Sequence, residues 1–500
     1  WVMFFVLFYV FYMVARGMSI WDEFKTFPLV SMIASGDIPP HFPYDVSVVL
    51  DEHYLRYLIA AQFMRVGDLY PWTALAFLQS FTLSLSTVLV IIWVQRITKN
   101  LFAGFAGGVF HLLAGGTRWL LLLFPPSFIN KIDSAIQRVG SGLNSGTDLH
   151  TALISPWAAQ GMAPISIPFA FTNGLIKPSA LGVGWDNISF LILILVLLLY
   201  DKAKEPKTIA LQGGFFTAIA NNVFNPTYSS YHNFQVDFVF PPSFVDPHLG
   251  ELQITNPIHL LVLILECGPI ALAFPLVLIW GWKSWKNRRY IDAAYIGTAI
   301  LGLAFCFVQI TSKGINTAVN RVQNDFLEVS LLFAVPVLFY WLRDRSQVMK
   351  IKVGLLAFLA LFGGMVVLGT ELSGIQEPEL GLFITEMDVR MMDKYWNKLE
   401  EDATVLDPNI PRSITLFARS GNSSVDFYEP TQEWENLIYD PDPQVMAQAG
   451  YDYLYYDREY WKTLTPKEQN LLTSSCITIM NEESEWTGDF RVLLDIRGCR

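Results

Sequence analysis

The sequence predicts an α-helical polytopic membrane protein of about nine transmembrane helices, followed by a C-terminal soluble α/β domain. Apolar residues make up 52% of the chain and charged residues only 16%, which is too few charges to cover the surface of a soluble protein of this length. The charge is also uneven, because residues 371–500 hold 25 acidic and 11 basic side chains, a net of −14 against −11 for all 500 residues. Two physically different segments therefore share one chain.

Crossing a bilayer as a helix takes about 20 predominantly apolar residues. Nine stretches of the first 370 residues approach or exceed this length: 1–16, 71–95, 101–124, 187–200, 207–223, 257–282, 291–310, 326–342 and 351–370. The first stretch has no initiator Met and no basic leading region, so it is not a signal peptide, and we expect further residues to precede it. Together the stretches define a multi-span membrane domain over residues 1–370.

Lys and Arg cluster in every second connection between these stretches. The clusters fall at residues 96–99, 202–207, 283–289 and 343–352. Because short basic loops face the cytoplasm, the N-terminus is predicted to be cytoplasmic and residues 371–500 extracytoplasmic. The connections on the outer side are long, and long loops in a compact protein commonly carry function. They cover residues 17–70, 125–186, 224–256 and 311–325.

Residues 371–500 show the alternating helix and strand patterns of an α/β domain, for which we expect a Rossmann-like arrangement. Helical patterns cover 386–401, 443–449 and 466–473, and strand patterns cover 413–418, 451–456, 476–480 and 490–496. No glycine-rich nucleotide motif occurs there, and an acidic surface without a basic stripe excludes nucleic acid as a partner. The alternating tyrosines of 451–456 favour core packing over a sugar-stacking surface.

Two of the four cysteines, Cys476 and Cys499, lie in this acidic segment. Outside the cytoplasm the redox conditions permit a disulfide between them. We predict that bond, with two free buried thiols as the alternative, because separation along the sequence does not fix the distance between two Cα atoms.

The first outer loop holds an acid pair near each end. Asp22-Glu23 comes straight after the first apolar stretch, and Asp51-Glu52 is followed by His53, with the turn sequence Gly36-Asp37-Ile38-Pro39-Pro40 between them. Carboxylates beside a membrane surface could take a proton from an acceptor or hold a divalent cation such as Mg²⁺, Mn²⁺ or Ca²⁺. The alternative is that they are solvated loop charges.

This loop resembles the first periplasmic loop of the GT-C superfamily of polyprenyl-phosphate-sugar-dependent glycosyltransferases, and it is similar to that of uncharacterised bacterial members with a C-terminal soluble domain. The resemblance implies a GT-C-like helical core in a bacterial plasma membrane, a polyprenyl-phosphate-linked sugar as donor, and a glycan, lipid or protein as acceptor. It also implies Asp22 or Glu23 as the base, and a donor-phosphate or metal region at Asp51, Glu52 and His53. Lys25-Thr26-Phe27-Pro28 stands where many such loops have a histidine, which leaves the choice between Asp22 and Glu23 open.

Three further charged residues bear on the same chemistry. A departing lipid phosphate needs a cation, and Arg321 lies just ahead of the eighth apolar stretch, where its guanidinium fork could bind phosphate oxygens. A local pair with Asp325 is the alternative.

Arg118 and Glu266 fall at apparent membrane depth, where a charged side chain must face the protein interior. For them we favour a structural ion pair over a catalytic role.

The function predicted from these features is transfer of a hexosyl or pentosyl group from a polyprenyl phosphate to an acceptor at the outer face of the membrane. The lipid bilayer and the lipid-linked donor are then partners of the protein. A non-enzymatic membrane scaffold, whose outer domain docks a partner protein, is the alternative indicated by the acidic, aromatic-rich C-terminal segment. A transporter or flippase would show inverted repeats, and the sequence has no such internal symmetry.

Overall fold

The computed structural model describes part of the chain. The described residues are 1–17, 23–50, 55–114, 117, 120, 234–238, 240, 243–246, 250–253, 255–257, 260–261, 264–265, 268–290, 292–293, 296–297, 300, 307–312, 315–316, 332–373, 384–396, 398–400, 402–419, 423–424 and 430–500. Within them the chain is mostly helical, with small β-sheets, and it divides into two compact units. The helical unit comprises Trp1–Ile20 and Gln79–Pro378, and the mixed unit comprises Trp21–Leu78 and Glu379–Arg500.

The described α-helices and β-strands are numbered in chain order. The helices are α1 (Val2–Gly17), α2 (Glu23–Ser35), α3 (Leu55–Gly67), α4 (Pro71–Thr98), α5 (Leu101–Leu113), α6 (Ile270–Lys286), α7 (Leu332–Leu342), α8 (Gln347–Ser373), α9 (Glu386–Tyr395), α10 (Ile410–Phe417), α11 (Gln432–Tyr439), α12 (Pro443–Gln448), α13 (Arg458–Thr463) and α14 (Pro466–Leu471). The strands are β1 (His41–Phe42), β2 (Asp45–Val49), β3 (Phe234–Phe238), β4 (Ser243–Asp246), β5 (Gly250–Gln253), β6 (Val308–Ser312), β7 (Ile315–Asn316), β8 (Val405–Leu406), β9 (Tyr453–Asp457), β10 (Thr478–Ser484) and β11 (Phe490–Asp495).

Helix α4 is the one helix among the described residues that is long and apolar enough to cross a membrane. Its 28 residues extend about 42 Å at the usual rise per residue. Shorter apolar helices lie inside three other predicted stretches, at Val2–Met13, Leu101–Leu113 and Leu332–Leu342. The described residues therefore show one candidate membrane helix where the sequence predicts nine. The predicted stretches 187–200 and 207–223 lie outside the described residues.

Helix α5 packs against α4 through glycines. Gly104 and Gly108 have the four-residue spacing that allows close approach of helices in a membrane. A Cβ atom on Gly107 would lie 2.7 Å from the Val94 side chain, and one on Gly108 would lie 2.7 Å from the Ile91 side chain. A larger residue at either position would force the two helices apart.

A three-stranded antiparallel sheet in the helical unit joins two of the predicted outer loops. Strand β3 pairs with β6 from Phe234 opposite Ser312 to Phe238 opposite Val308, and β6 pairs with β7. Strand β3 lies in the predicted loop 224–256. Strand β6 covers the last three residues of the predicted stretch 291–310 and the beginning of the loop 311–325, so the helix predicted there is wrong at its end. Backbone hydrogen bonds therefore hold the loop 224–256 against the chain at residues 308–312.

The mixed unit contains a four-stranded sheet in the order β10–β11–β9–β8. Strand β9 runs parallel to β8 and antiparallel to β11, which in turn is antiparallel to β10. Tyr453, Leu454 and Tyr455 of β9 are almost fully buried, so the tyrosines of this strand pack in the core, as predicted. A Rossmann-like arrangement is built on parallel strands, whereas this sheet has one parallel pair among its described strands.

Residues 413–418 belong largely to helix α10, so the strand predicted there is wrong. Pro411 stands in the first turn of the helix, where its missing N–H is not needed. Ala418 ends the helix in the left-handed region at φ 53°. The side chains from Arg412 to Phe417 are all buried, and a segment buried on all sides has no amphipathic period that distinguishes a helix from a strand.

Helix α2, from the first outer loop, packs against α10 of the C-terminal segment. Ser31 donates its hydroxyl hydrogen to the Thr415 carbonyl at 2.8 Å. Met32 shares a buried apolar cluster with Ile414. The first outer loop and the C-terminal segment are thus parts of one folded unit, although more than 300 residues separate them.

A buried arginine, Arg412, joins two carboxylates in the mixed unit. Its guanidinium group donates two hydrogen bonds to Asp407, at 2.7 and 3.1 Å, and one to Asp457 at 2.5 Å. The same group lies 4.9 Å from the centre of the Tyr455 ring. Burial raises the pKa of Asp407 to about 6, against the lowering effect of Arg412. Each charge in this network stays buried because the opposite charge is present.

We expect Arg412→Met to destabilise the mixed unit by about 3–5 kcal/mol, because it leaves Asp407 and Asp457 without their cation. Lys467→Met is the matched control, since Lys467 is exposed and its loss should change the free energy of unfolding by less than about 0.5 kcal/mol. Urea unfolding of the full-length variants in detergent, followed by proteolysis of the C-terminal segment, measures the difference. Equal stability of the two variants would show that the Arg412 network does not stabilise the unit.

Cys476 and Cys499 form a disulfide, with their Cα atoms 5.0 Å apart. The bond ties the residues before β10 to the end of the chain after β11. Gly498 fits tightly at this point, because a Cβ atom there would lie 2.7 Å from the Cys476 carbonyl oxygen. The two closing strands of the sheet are therefore covalently fixed at their open end.

We expect the double variant Cys476→Ser with Cys499→Ser to lose about 3 kcal/mol of stability, because the open chain regains the loop entropy that the bond removes. Unfolding with and without a reductant measures this loss. The reductant should bring the parent protein to the stability of the double variant and leave that variant unchanged. If the reductant destabilised the double variant equally, the effect would not come from this bond.

Candidate functional site

Most of the residues selected from the sequence lie outside the described residues. They are Asp22, Asp51, Glu52, His53, Arg118, Glu266 and Arg321. Glu23 is the first residue of α2, and its backbone alone is described. The proposed base, the donor-phosphate or metal region and the intramembrane charges therefore stay predictions.

Both acid pairs nevertheless stand next to helices that the structure describes. Glu23 begins α2, and His53 is separated by one residue from Leu55, the first residue of α3. Helices α2 and α3 pack against each other in the mixed unit. Carboxylates at the start of a helix also stabilise it, by capping and by interaction with its dipole. A test of the acid pairs must therefore separate base chemistry from helix capping.

The structure also describes the residues that immediately precede Arg118 and Glu266. The Thr117 backbone N–H donates to the Leu265 carbonyl at 2.5 Å, and the Thr117 hydroxyl donates to the same oxygen at 3.3 Å. Two distant parts of the helical unit therefore meet next to these two charged positions. Arg118 and Glu266 themselves lie outside the described residues, so the ion pair between them stays a prediction.

A cavity of about 470 Å³ lies in the described part of the mixed unit. The first outer loop and helix α9 with its C-terminal cap both contribute to its wall. The lining residues are Ala34, Met64, Arg65, Asp68, Leu69, Tyr70, Met392, Asp393 and Trp396. This cavity is the candidate site with a described geometry, and the sequence alone did not reveal it.

The turn after α3 shapes one wall of the cavity. Helix α3 ends at Gly67, and Asp68 follows in the left-handed region at φ 51°, which aspartate tolerates better than most residues. The Leu69 N–H then returns to the Met64 carbonyl at 3.2 Å, which satisfies a carbonyl at the helix end. This reversal lets residues on both sides of the turn line the same cavity.

Helix α9 supplies the opposite wall. Thr385 caps its N-terminus in a capping box with Asp388, which fixes where the helix begins. The helix ends at Tyr395, and the N–H of Trp396 donates to the Met392 carbonyl at 2.6 Å. Asp393 and Trp396 are three residues apart, so they occupy neighbouring positions on this last turn.

Tyr70 connects the two walls. Its hydroxyl donates to an Asp393 carboxylate oxygen at 3.0 Å, and its ring stacks on Trp72 with centroids 5.0 Å apart. Burial raises the pKa of Tyr70, and Asp393 and Asp68 add to this rise. The phenol therefore stays protonated at neutral pH and acts as a hydrogen-bond donor.

The cavity lining combines hydrogen-bonding groups with apolar surface. Arg65 can only donate hydrogen bonds, whereas ionised Asp68 and Asp393 can only accept them. The indole ring of Trp396 and two methionine side chains supply the apolar part. No group of three potential metal ligands occurs among the described residues. The arrangement is suited to binding a polar organic ligand.

Sequence reasoning missed this site for a physical reason. The sequence places Asp68, Leu69 and Tyr70 at the end of the predicted loop 17–70, and Trp396 within the predicted helix 386–401. The sequence feature that could have indicated the site is the pair of aromatic residues Tyr70 and Trp72 close to Asp68. The contact between Tyr70 and Asp393 spans 323 positions of sequence, and no local pattern predicts such a pairing.

Comparison with known proteins finds no matching family model and no match among curated proteins. The geometry and chemistry of the chain itself are therefore the basis of the functional proposal.

Proposed function

We propose that the protein is an integral membrane glycosyltransferase of GT-C type in a bacterial plasma membrane. It would transfer a hexosyl or pentosyl group from a polyprenyl phosphate to an acceptor at the outer face. The observation on which this rests is that the first outer loop, which contains both acid pairs, folds into one compact unit with the C-terminal segment. An active-site loop and a substrate-binding domain would be joined in this way.

Contacts between segments predicted to lie on the same side of the membrane support the proposed topology. On the outer side, β3 pairs with β6, and residues 21–78 fold with residues 379–500. On the inner side, the Tyr340 hydroxyl donates to the Ile97 carbonyl at 2.9 Å, and the Tyr340 ring stacks on Trp280 at 5.6 Å. Each of these contacts joins segments that the proposed topology places on the same side of the bilayer, or that end at that side.

The proposed reaction is a direct displacement. Asp22 or Glu23 takes the proton from an acceptor hydroxyl while the acceptor oxygen bonds to the anomeric carbon of the sugar. The bond between that carbon and the phosphate oxygen breaks, and the polyprenyl phosphate leaves with its electron pair. Arg321 balances the charge on the departing phosphate. The carboxylates of Asp51 and Glu52 are ligand types that Mg²⁺, Mn²⁺ or Ca²⁺ accepts, and His53 follows them in the sequence.

A membrane scaffold is the second candidate function. Large apolar side chains are exposed on the mixed unit, including Trp486 at 97%, Tyr439 at 77% and Ile479 at 61%. Exposed aromatic residues are typical of surfaces that bind other proteins. Retention of a partner protein by variants that have lost transfer activity would favour this function.

We expect Asp22→Asn or Glu23→Gln to lower transfer by about 100-fold or more, because a general base contributes at least this much. Asparagine is as favourable as aspartate at the start of a helix, so Asp22→Asn removes the carboxylate without a loss of capping propensity. The assay measures release of polyprenyl phosphate from polyprenyl-phosphate mannose and polyprenyl-phosphate arabinose in proteoliposomes. Exposed Asp440→Asn and Glu433→Gln are the charge-matched controls. Full activity in both loop variants would exclude Asp22 and Glu23 as the base.

We expect a cysteine at Lys467 to react with a membrane-impermeant maleimide in intact cells, and a cysteine at Arg345 to react only after permeabilisation. The reason is that the basic cluster at 343–352 is predicted to be cytoplasmic and residues 371–500 extracytoplasmic. Both positions are exposed, so burial cannot explain a difference between them. The parent protein gives the background labelling. Labelling of Arg345→Cys in intact cells would reverse the proposed topology.

A further inference from the structure

We propose that the cavity between α3 and α9 binds a neutral saccharide. The polar groups are Arg65, Asp68, Tyr70 and Asp393, and the flat apolar surface is the indole of Trp396. The role of this saccharide as the acceptor rests on the glycosyltransferase function proposed above. Binding itself follows from the cavity and does not depend on that function.

The cavity lining matches the chemistry of a sugar ring. A sugar presents hydroxyl groups around its rim and C–H groups on its faces. Ionised Asp68 and Asp393 accept hydrogen bonds from hydroxyls, and the Arg65 guanidinium donates to their oxygens. The indole of Trp396 offers an apolar face for the C–H groups. Donors, acceptors and a flat apolar surface thus occur together in one cavity.

Two of these polar side chains are available to a ligand. Within the described residues, the Arg65 and Asp68 side chains form no hydrogen bond or ion pair with another residue. Asp393 accepts one hydrogen bond, from Tyr70, and a carboxylate has room for several. The polar groups of the wall therefore keep capacity for a ligand that brings both donors and acceptors.

The size and charge of the cavity favour a neutral sugar over other ligands. A volume of about 470 Å³ falls within the usual range for small-molecule sites. One guanidinium and two carboxylates give the wall a net negative charge, which disfavours a phosphate or an acidic sugar. An acyl chain would leave those three charged groups without partners. The cavity therefore does not suit the lipid phosphate of the donor.

The position of the cavity indicates an extended acceptor. Ala34 lies near the end of α2, whereas Glu23 begins that helix. Eleven helical steps separate the two backbones by about 17 Å. A sugar held in the cavity would therefore lie several sugar units from the proposed base. Under the proposed function, the acceptor is an oligosaccharide or polysaccharide and not a monosaccharide.

Saturation-transfer NMR on the full-length protein in nanodiscs tests the proposal. The probes are the neutral trisaccharides cellotriose, maltotriose and mannotriose, with trigalacturonic acid and glucose 1-phosphate as charged comparators. We expect at least one neutral trisaccharide to bind, and Trp396→Ala to weaken it by about tenfold or more. Asp393→Asn should weaken binding comparably, because it removes an accepting charge without changing shape.

Matched variants separate binding from folding. Trp486→Ala removes a tryptophan that is 97% exposed and does not line the cavity, and Asp440→Asn removes an exposed carboxylate; both should leave binding unchanged. Asp68→Asn keeps a residue that tolerates the left-handed backbone conformation. A loss of saccharide binding in this variant would therefore result from the loss of the carboxylate charge. Thermal unfolding of each variant shows whether it is folded.

Three results would overturn the proposal. They are no neutral trisaccharide bound at about 10 mM, tighter binding of the charged comparators, or unchanged affinity in folded Trp396→Ala and Asp393→Asn. The glycosyltransferase proposal fails separately. Asp22→Asn and Glu23→Gln could retain full transfer activity while the cavity variants lose saccharide binding. That result would contradict the assignment of Asp22 or Glu23 as the base and would support the saccharide site.

Discussion

The packing of α2 against α3 and α10 is the interaction on which the mixed unit depends. Leu29, Val30 and Ile33 of α2 have no exposed surface, and burying each such side chain contributes about 1.5–3 kcal/mol. The hydrogen bond from Ser31 to Thr415 fixes how the helices lie. Without this contact, the first outer loop and the C-terminal segment would be separate pieces, and the cavity would lose one of its walls.

Buried ion pairs are a second feature of the mixed unit. The segment is strongly acidic, and three of its arginines are buried: Arg412, Arg419 and Arg491. Arg412 lies between Asp407 and Asp457. Arg491 similarly meets fully buried Asp388, with 7% of its own side chain exposed. A buried carboxylate is stabilised by a nearby cation, so Arg412 and Arg491 compensate the buried charges of Asp407 and Asp388. The surface of the segment retains an acidic excess.

Local sequence patterns predicted much of the C-terminal segment. Strand β9 and helix α12 were predicted within a few residues, because Pro443 and Gly450 delimit α12 and tyrosines fill the strand. The pattern failed at α10, whose complete burial removes any amphipathic signal. It also could not predict that α10 packs on α2, or that Tyr70 meets Asp393, because such long-range contacts leave no local trace. Most of the predicted catalytic residues lie outside the described residues, so that part of the site stays a prediction.

The shared unit also limits how the C-terminal segment can move relative to the first outer loop. A movable lid would need an interface with the first outer loop that opens at little cost. Separating α2 from α10 would instead expose Leu29, Val30 and Ile33, at several kcal/mol in total. The first outer loop and the C-terminal segment therefore move together, as parts of one folded unit. In a transferase built this way, the acceptor cavity and the base would keep a fixed distance. The length of α2 then sets how far along an acceptor chain the sugar is added, if Asp22 or Glu23 is the base and the cavity holds the acceptor.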